Sequence, residues 1–476
     1  MTHLLPVEPI ETLDHYLATD TGGLGLRRAR EIGPEAVVEE VKASGLRGRG
    51  GGGFPTGAKW AGIAAQAGET RYVVCNGAEG EPGTFKDRAL IRANPYQLVE
   101  GLIIAGLAIQ AQEVYVCLKA SFETEIARLT RAVEEFQLAG ICSECTVNIV
   151  AGPDEYLFGE EKAMLEVIEG NDPLPRWLPP HLHGLFSPAP QLGWQATRDQ
   201  AESQGHPHSP STSDATNVEA GHESNPTLVN NVETFSNVPH ILARGADWFR
   251  GLGTAESPGT IVATVVGDVV APDVGEVELG TPLHAVIDAV GSGLPPGRSV
   301  KAVFSGVANA VLTPEHLDAP LSYEGLAAAG SGMGAAGFIV YDDTTCMVDV
   351  AYHFSRFLSV ESCGQCPPCK LGSSAITEHL ERIETGEGTV DDIDAIVGWI
   401  GHVTDGNRCY LAVEEQTVIR SILEAFPRSS TNTSSRERAP DAASCRCRSS
   451  WTSPAAWPPT TRASGASGRT GPTTRN

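Results

Sequence analysis

The 476-residue sequence predicts an α/β domain with a largely parallel sheet, a small α+β unit behind it and a helical bundle at the end. Three observations predict this order. Apolar β-branched runs, "RYVVCN", "EVYVCL" and "VNIVAG", alternate with helical periods at Gln97 to Gln110 and Glu123 to Phe136, as strands covered by helices do. From Thr260 the text changes to "TIVATVVGDVVAPDVGEVELG", two short strands joined by a Pro-Gly turn, and a helix follows. After about Ala335 the helices are expected to return, in "MVDVAYHFSRFLSVES", "GSSAITEHLERIETG", "VDDIDAIVGWIGHV" and the segment ending at Phe426.

Composition bounds the function. The formal charge of -25 argues against nucleic acid and against direct insertion into, or adhesion to, an anionic membrane. The longest apolar stretch, Leu98 to Gln110, is too short to span a bilayer and carries Glu100, so it is expected to be a buried helix. The N-terminus is acidic and has no basic region before an apolar run; no signal peptide is read, and a cytoplasmic location is expected. In a reducing compartment the eleven cysteines are metal ligands or core thiols before they are disulfides, and Cys75, Cys117 and Cys346 sit in apolar text as core thiols do.

Two polar segments interrupt the pattern. Ser187 to Pro226 has the composition of an exposed insertion, and its His206, His208 and His222 have no cysteine or carboxylate framework to make them ligands. Pro427 to Asn476 has no Leu, Ile, Val, Phe, Tyr or Met and carries eight Arg against Glu437 and Asp441, so it cannot bury a core. A change of reading frame after Phe426 is one hypothesis for this jump. It fails if the other phases of the coding DNA yield no sensible protein there.

The segment "SGLRGRGGGGFPTGAKW" holds a formal G-x-G-x-x-G at Gly48, Gly50 and Gly53, but a helix, "GPEAVVEEVKAS", precedes it where a dinucleotide fold needs a strand. Five glycines from Gly48 to Gly53 nevertheless let the backbone turn its amides toward a ligand, and Arg47, Arg49 and Lys59 add positive charge: a phosphate cradle is expected. Asn76, Glu79 and Glu81 follow the strand "RYVV", where α/β sheets collect ligands. With Glu160 and Glu161 of "YLFGEEKAM" and Asn230, Asn231 and Glu233 of "NPTLVNNVETFSN", they supply the amides and carboxylates that flavin and pyridine nucleotides require.

In "VESCGQCPPCKLG", Cys363, Cys366 and Cys369 put three thiolates on one tight turn, a geometry used for iron-sulfur clusters, with zinc as the alternative. Pro367 and Pro368 suit the first turn of a helix whose amide dipoles favour an anionic cluster. Candidates for a fourth ligand are Cys409, between two helical segments, and Cys445 and Cys447 in the coreless tail.

The motifs "GLRGRGGGGFPTGAKW", "EGEPGTFKDR", "FGEE", "NNVET" and "ESCGQCPPC", in this order, resemble the NADH-binding flavoprotein subunit of respiratory complex I, shared with diaphorase subunits of NAD-linked hydrogenases and formate dehydrogenases. The resemblance spans residues 35–426, interrupted by 187–226. It implies a Rossmann-like FMN/NADH-binding domain (1–245), a β-grasp domain of the soluble-ligand-binding type (246–335) and a helical [4Fe-4S] domain (336–426), beyond which the composition predicts a disordered tail (427–476). It implies that Gly48, Arg49, Gly50, Gly51, Gly57, Lys59, Asn76, Glu79, Gly159, Glu160, Asn230 and Asn231 surround FMN, that Phe54, Glu81, Tyr156 and Glu161 face NADH, and that Cys409 completes the cluster. No side chain is implied as a catalytic acid or base, because FMN carries the hydride transfer. Two departures stand out: Ala78 replaces a carboxylate near the flavin, and Gly62 an aromatic available to stack on adenine. The implied activity is NADH oxidation with electrons passing through FMN and the cluster to a small [2Fe-2S] thioredoxin-like subunit of a larger redox complex, peripheral to the inner membrane. A flavin and iron-sulfur carrier of a formate dehydrogenase or hydrogenase, or a ferredoxin-linked one without direct NADH use, and a zinc-stabilised ligand-binding scaffold are the alternatives.

Overall fold

The structure, a computed structural model, describes residues 3–66, 70–188 and 224–427. His206, His208, His222, Cys445, Cys447 and nearly all of the two polar segments lie outside the described residues.

Four strands, β1 (Tyr72–Asn76), β2 (Glu113–Lys119), β3 (Thr146–Gly152) and β4 (Thr227–Asn231), form an all-parallel sheet in the order β3-β2-β1-β4. Helices α1 (Leu13–Leu17), α2 (Leu24–Ile32), α3 (Pro34–Ser44), α4 (Thr56–Ala64), α5 (Lys86–Ala93), α6 (Pro95–Ile109), α7 (Glu123–Leu138), α8 (Glu161–Ile168) and α9 (Val232–Arg244) accompany it. Tyr72, Val73, Val74 and Cys75 are consecutive and all buried, which is why β1 reads as an unbroken apolar run: both faces of a parallel sheet are covered.

The expected buried helix is α6. Asn94 caps it by accepting the Gln97 N–H, Pro95 takes the first helical position, and Gln110 ends it in the left-handed region at φ 58°. Its one acid is satisfied inside: Glu100 accepts the Tyr16 hydroxyl at 2.6 Å and the Gly23 and Leu26 amides at 2.8 Å.

After α10 (Ala246–Arg250), strands β5 (Thr260–Gly267), β6 (Asp273–Glu278), β7 (Val300–Ser305) and β8 (Gly337–Asp342) form a second sheet in the order β6-β5-β8-β7. Its β5–β8 pair is parallel and its other pairs antiparallel. Helix α11 (Leu283–Gly291) follows the β5–β6 turn as expected, and α12 (Tyr323–Ala328) lies between β7 and β8. Strand β8 corrects the expected boundary at residue 335, because "GFIVYD" belongs to the sheet and the helices resume only at Met347. Val266, Ala302, Phe304, Val307 and Ile339 of this region share a core with α13 (Met347–Glu361), α14 (Pro367–Glu384), α15 (Val390–Ile400) and α16 (Leu411–Ala425).

The expected insertion is also shorter than its composition suggests. Asn225 is buried, bonds through its amide to the carbonyls of Leu185 and Phe186, and Gly184 donates to Ser224, so residues 224–226 belong to the fold. Cys75 and Cys117 are core thiols; Cys346 is only half-buried, at the start of α13. Among the described residues no helix is long and apolar enough to cross a membrane.

Candidate functional site

The chain runs outward from β1 through β2 to β3 and returns to pair β4 on the other side of β1, so the sheet switches direction between β1 and β4. Ligands of α/β sheets bind outside the carboxyl ends at such a point. There Asn76 and Asn231 stand directly opposite each other in register. The Asn76 amide donates to the Gly159 carbonyl at 2.6 Å, and the Asn231 amide donates to the Asn76 carbonyl at 3.3 Å.

The glycine loop closes over this edge as a hairpin: Gly48 donates to the Phe54 carbonyl at 2.8 Å, and Thr56 to that of Leu46 at 2.9 Å. Gly50 packs so tightly on Asn231 that a Cβ would approach its Cβ to 3.0 Å, whereas a Cβ at Gly52 or Gly159 would meet nothing within 4 Å. Gly51 takes φ 119°, a conformation natural only to glycine. The backbone at Gly52 and at Gly159 thus opens onto free space, where a ligand can approach the main chain closely. Phe54 stands exposed at the loop tip.

The loop's expected cations are corrected. Arg49 is fully buried, donating to the carbonyls of Arg47, Pro258 and Thr260, with Glu233 at 3.9 Å. Arg47 donates to Gly53 and lies over the Tyr323 ring at 4.1 Å. Both arginines fix the loop, and the Arg49 guanidinium is taken up by carbonyls inside the protein; Lys59 is paired with Glu161 at 3.1 Å. Gly57 has a packing role: a Cβ there would come within 2.3 Å of the Lys42 Cα on α3. Asn230 is turned to the Trp60 indole at 2.9 Å, tying α4 to β4.

The 3-10 turn Tyr156–Gly159 leads into α8, where Glu160 caps the helix by accepting from the Lys162 and Ala163 amides. Burial pushes the Glu160 carboxyl up to about 7, opposed by Lys162. Glu79 likewise caps α5, accepting the Asp87 and Arg88 amides and the Arg88 guanidinium. Glu81 accepts the Val307 amide at 2.7 Å and the Tyr156 hydroxyl at 2.5 Å. The structure therefore brings Gly50, Asn231, Asn76, Gly159, Glu160, Glu161 and Lys59 to one edge, with Glu81 and Tyr156 beside it. Arg49, Gly57, Glu79 and Asn230 support that edge from behind.

Sequence reasoning missed what lies beneath. Lys86 is fully buried and bonds Asp87 at 2.7 Å, Asn231 at 2.8 Å and Glu233 at 3.1 Å. Burial alone would lower the Lys86 ammonium, but Asp87 and Glu233 hold it above its ordinary value; burial pushes Asp87 up to about 6 despite that neighbour. A cation inside "EGEPGTFKDR", a motif already singled out, was the available signal.

Below the turn, Cys363, Cys366, Cys369 and Cys409 line one cavity enclosing about 310 Å³, its mouth included, together with Leu157, Pro175 and Arg408. Cys366 is the N-cap of α14, Pro367 its first residue and Cys369 a member of its first turn, so the helix presents its amide end to the thiols. Lys370 holds the preceding loop by donating to the Ser359 and Ser362 carbonyls at 2.7 and 3.2 Å. Burial pushes the Cys409 thiol up to about 12 and also raises Cys369, so loading such a site releases protons. Four thiols around one shared space are the donor set that a polynuclear cluster uses, each iron taking one sulfur.

Residues 41–240 match the Nuo51 FMN-binding domain, and residues 349–432 the NADH-ubiquinone oxidoreductase-F iron-sulfur binding region. The F 2 subunit of NADH-quinone oxidoreductase from Rhizobium meliloti (strain 1021) is 36% identical over 427 residues, covering 87% of this chain and 93% of that protein. The NADP-reducing hydrogenase subunit HndC of Solidesulfovibrio fructosivorans is 36% identical, covering 87% and 79%. A chain in the crystal structure of the NAD+-reducing [NiFe]-hydrogenase in the H2-reduced state superposes with a TM-score of 0.73 at 29% identity, covering 90% of this chain and 68% of that one. With both of its cofactor regions matched, the chain belongs to the F-subunit family of NADH-quinone oxidoreductases, which are FMN- and [4Fe-4S]-binding oxidoreductase flavoproteins.

Proposed function

We propose that the chain oxidises NADH at the switch-point edge and passes the electrons through the four-cysteine site to a partner subunit. One observation carries the reading: the Tyr156–Gly159 turn serves both sites, its Gly159 carbonyl held by Asn76 at the sheet and its Leu157 lining the cysteine cavity. Lys162 strengthens the link by donating to the carbonyl of Arg408, next to Cys409.

In this reading Gly48, Gly50, Gly51 and Gly52 present backbone to FMN, Lys59 supplies positive charge, and Asn76, Gly159 and Glu160 border the ring. Arg49, Gly57, Glu79, Asn230 and Asn231 position that wall; the amide of Asn231 is already occupied by its protein neighbours. Phe54, Glu81, Tyr156 and Glu161 orient NADH. Cys363, Cys366, Cys369 and Cys409 hold the [4Fe-4S] cluster. Bound FMN supplies the chemistry that takes a hydride pair and releases electrons singly. The chain itself orients the nicotinamide, closes the edge with the glycine loop and keeps charge of fixed sign beside it.

The element order supports a division into a Rossmann-like domain, a β-grasp domain extended to include β8, and a helical cluster domain. The relatives are subunits of multi-subunit enzymes by name, which supports assembly with a small [2Fe-2S] subunit in a larger, membrane-peripheral complex. Ala78 is fully buried and Gly62 opens onto space, so the flavin contact and adenine stack expected of other family members must come from elsewhere. Protein reconstituted with iron, sulfide and FMN should lose flavin absorbance on adding NADH. A bound flavin that stays oxidised with NADH yet is reduced by ferredoxin would replace this reading with the ferredoxin-linked one.

A further inference from the structure

Glu414 sits on α16, five residues beyond Cys409, and its side chain is buried. Its Oε1 lies 3.1 Å from the Tyr156 hydroxyl, which also lies 2.5 Å from Glu81 Oε2. A phenol carries one hydrogen, so it cannot donate to two carboxylates together. The second contact requires another proton on one of the acids. Burial raises the Glu81 carboxyl as well, but the Tyr156 hydroxyl and the Val307 N–H both oppose it by bonding the ionised form, whereas Glu414 Oε2 is buried without a hydrogen-bond partner. The ionisable carboxyls facing Glu414 are Glu81 and Glu415. From α13, Glu361 accepts the Tyr156 amide at 2.8 Å; Lys119 of β2 acts on Glu361 and donates to the Asp154 carbonyl. Burial foremost, with Glu81 adding to it, pushes the Glu414 carboxyl up to about 8.

We propose that Glu414 is a positioning residue that holds a proton: neutral, it donates to the Tyr156 oxygen, so that Tyr156 donates to Glu81 and keeps Glu81 a carboxylate in the reaction pocket. The consequence for NADH rests on the reading above that Glu81 and Tyr156 face the nicotinamide. A fixed carboxylate there favours the positively charged oxidised ring over the neutral reduced one, and so favours hydride departure. When Glu414 releases its proton to solvent, two carboxylates compete for one phenolic hydrogen and Glu81 loses its fixed donor.

Infrared spectra of the cofactor-loaded protein without NADH, recorded across a pH series, test the proton directly. Two neutral-carboxyl bands should titrate near pH 8: one should vanish in Glu414→Gln and shift in Tyr156→Phe, and the other, from Glu415, should vanish in Glu415→Gln while the first remains. The pH profile of kcat/KM for NADH should fall on the basic side in the wild type. That limb should be absent in Glu414→Gln, whose amide donates to Tyr156 without titrating. A merely structural Glu414 would change thermal stability and leave the limb where it was. The proposal is overturned if no band depends on Glu414 or if the limb survives in Glu414→Gln. Should that variant not fold, a Tyr156→Phe protein whose carboxyl bands do not move overturns it equally. A titrating band in a protein that NADH never reduces would leave the proton on Glu414 and remove the NADH reading instead.

Discussion

The side-chain amide of Asn231 is held at both of its atoms by one dipeptide: Lys86 donates to Oδ1 at 2.8 Å, and Nδ2 donates to Asp87 at 2.7 Å. The Glu233 amide also donates to Oδ1, so the orientation of Asn231 at the end of β4 is fixed. Because Lys86 and Glu233 are wholly buried, removing the cation strands Asp87 and leaves Glu233 only the more distant Arg49 at 3.9 Å. Lys86→Met should cost about 3–5 kcal/mol in a denaturant titration and weaken FMN binding as the β4 edge shifts. A variant within about 1 kcal/mol of the wild type would show that these acids are neutral without Lys86.

Gly57 and Gly159 separate a packing role from a ligand role. Gly57→Ala drives a methyl group into the α3 backbone and should lower stability by about 1–3 kcal/mol, since neither helix can move freely. Gly159→Ala meets nothing in the protein and should stay within about 0.5 kcal/mol of the wild type. Its FMN affinity, read by fluorescence titration, should still fall about tenfold or more, because the methyl group enters the cradle. Unchanged affinity in Gly159→Ala would move the flavin away from this turn.

The elements that local chemistry determines were legible. Pro34 and Gly45 bracket α3, the unbroken "YVVC" marks a doubly covered strand, and Pro367 after Cys366 marks the start of α14. What escaped depended on partners far along the chain. Strand β8 pairs with β5 and β7, whose residues lie some tens of positions earlier, and nothing local distinguishes its short apolar run from a helix lead-in. Arg49 looks like a free cation until Pro258 and Thr260, more than 200 positions away, bring carbonyls to it. "VEEQ" reads as an ordinary polar turn of helix, yet Glu414 meets Tyr156 across 258 positions and Glu415 is sealed against Ser355 at 2.6 Å.

Glu415 makes stability depend on pH. It is fully buried, and burial foremost, opposed by the Ser355 hydrogen bond, leaves its carboxyl at about 8 against 4.5 when unfolded. Between these values the native state holds a proton that the unfolded chain has lost, so stability is full below about 4.5 and falls as pH rises toward 8. Urea midpoints should decline across that window, and Glu415→Gln should flatten the decline. A midpoint that rises with pH in the wild type and is unaltered by Glu415→Gln would contradict a neutral Glu415.

The cysteine cavity gives the sharpest contrast. Cys409 reaches it from the loop before α16, whereas Cys363, Cys366 and Cys369 come from the start of α14 and the loop before it, so the cavity draws its four thiols from two segments. Cys409→Ser replaces a soft thiolate with a hard oxygen ligand that iron-sulfur centres hold poorly. Iron content and the cluster's electron paramagnetic signal should drop to a small fraction of the wild type after reconstitution. The flavin should stay bound, because the glycine loop, Lys59 and Asn76 belong to the sheet edge and none of them lines the cysteine cavity. NADH should therefore still bleach the flavin, while onward reduction of an added one-electron acceptor slows. Replacing Cys445 and Cys447 together is expected to change neither signal. If the tail double variant loses the cluster while Cys409→Ser keeps it, the thiol at this cavity is a bystander and the fourth ligand comes from the tail.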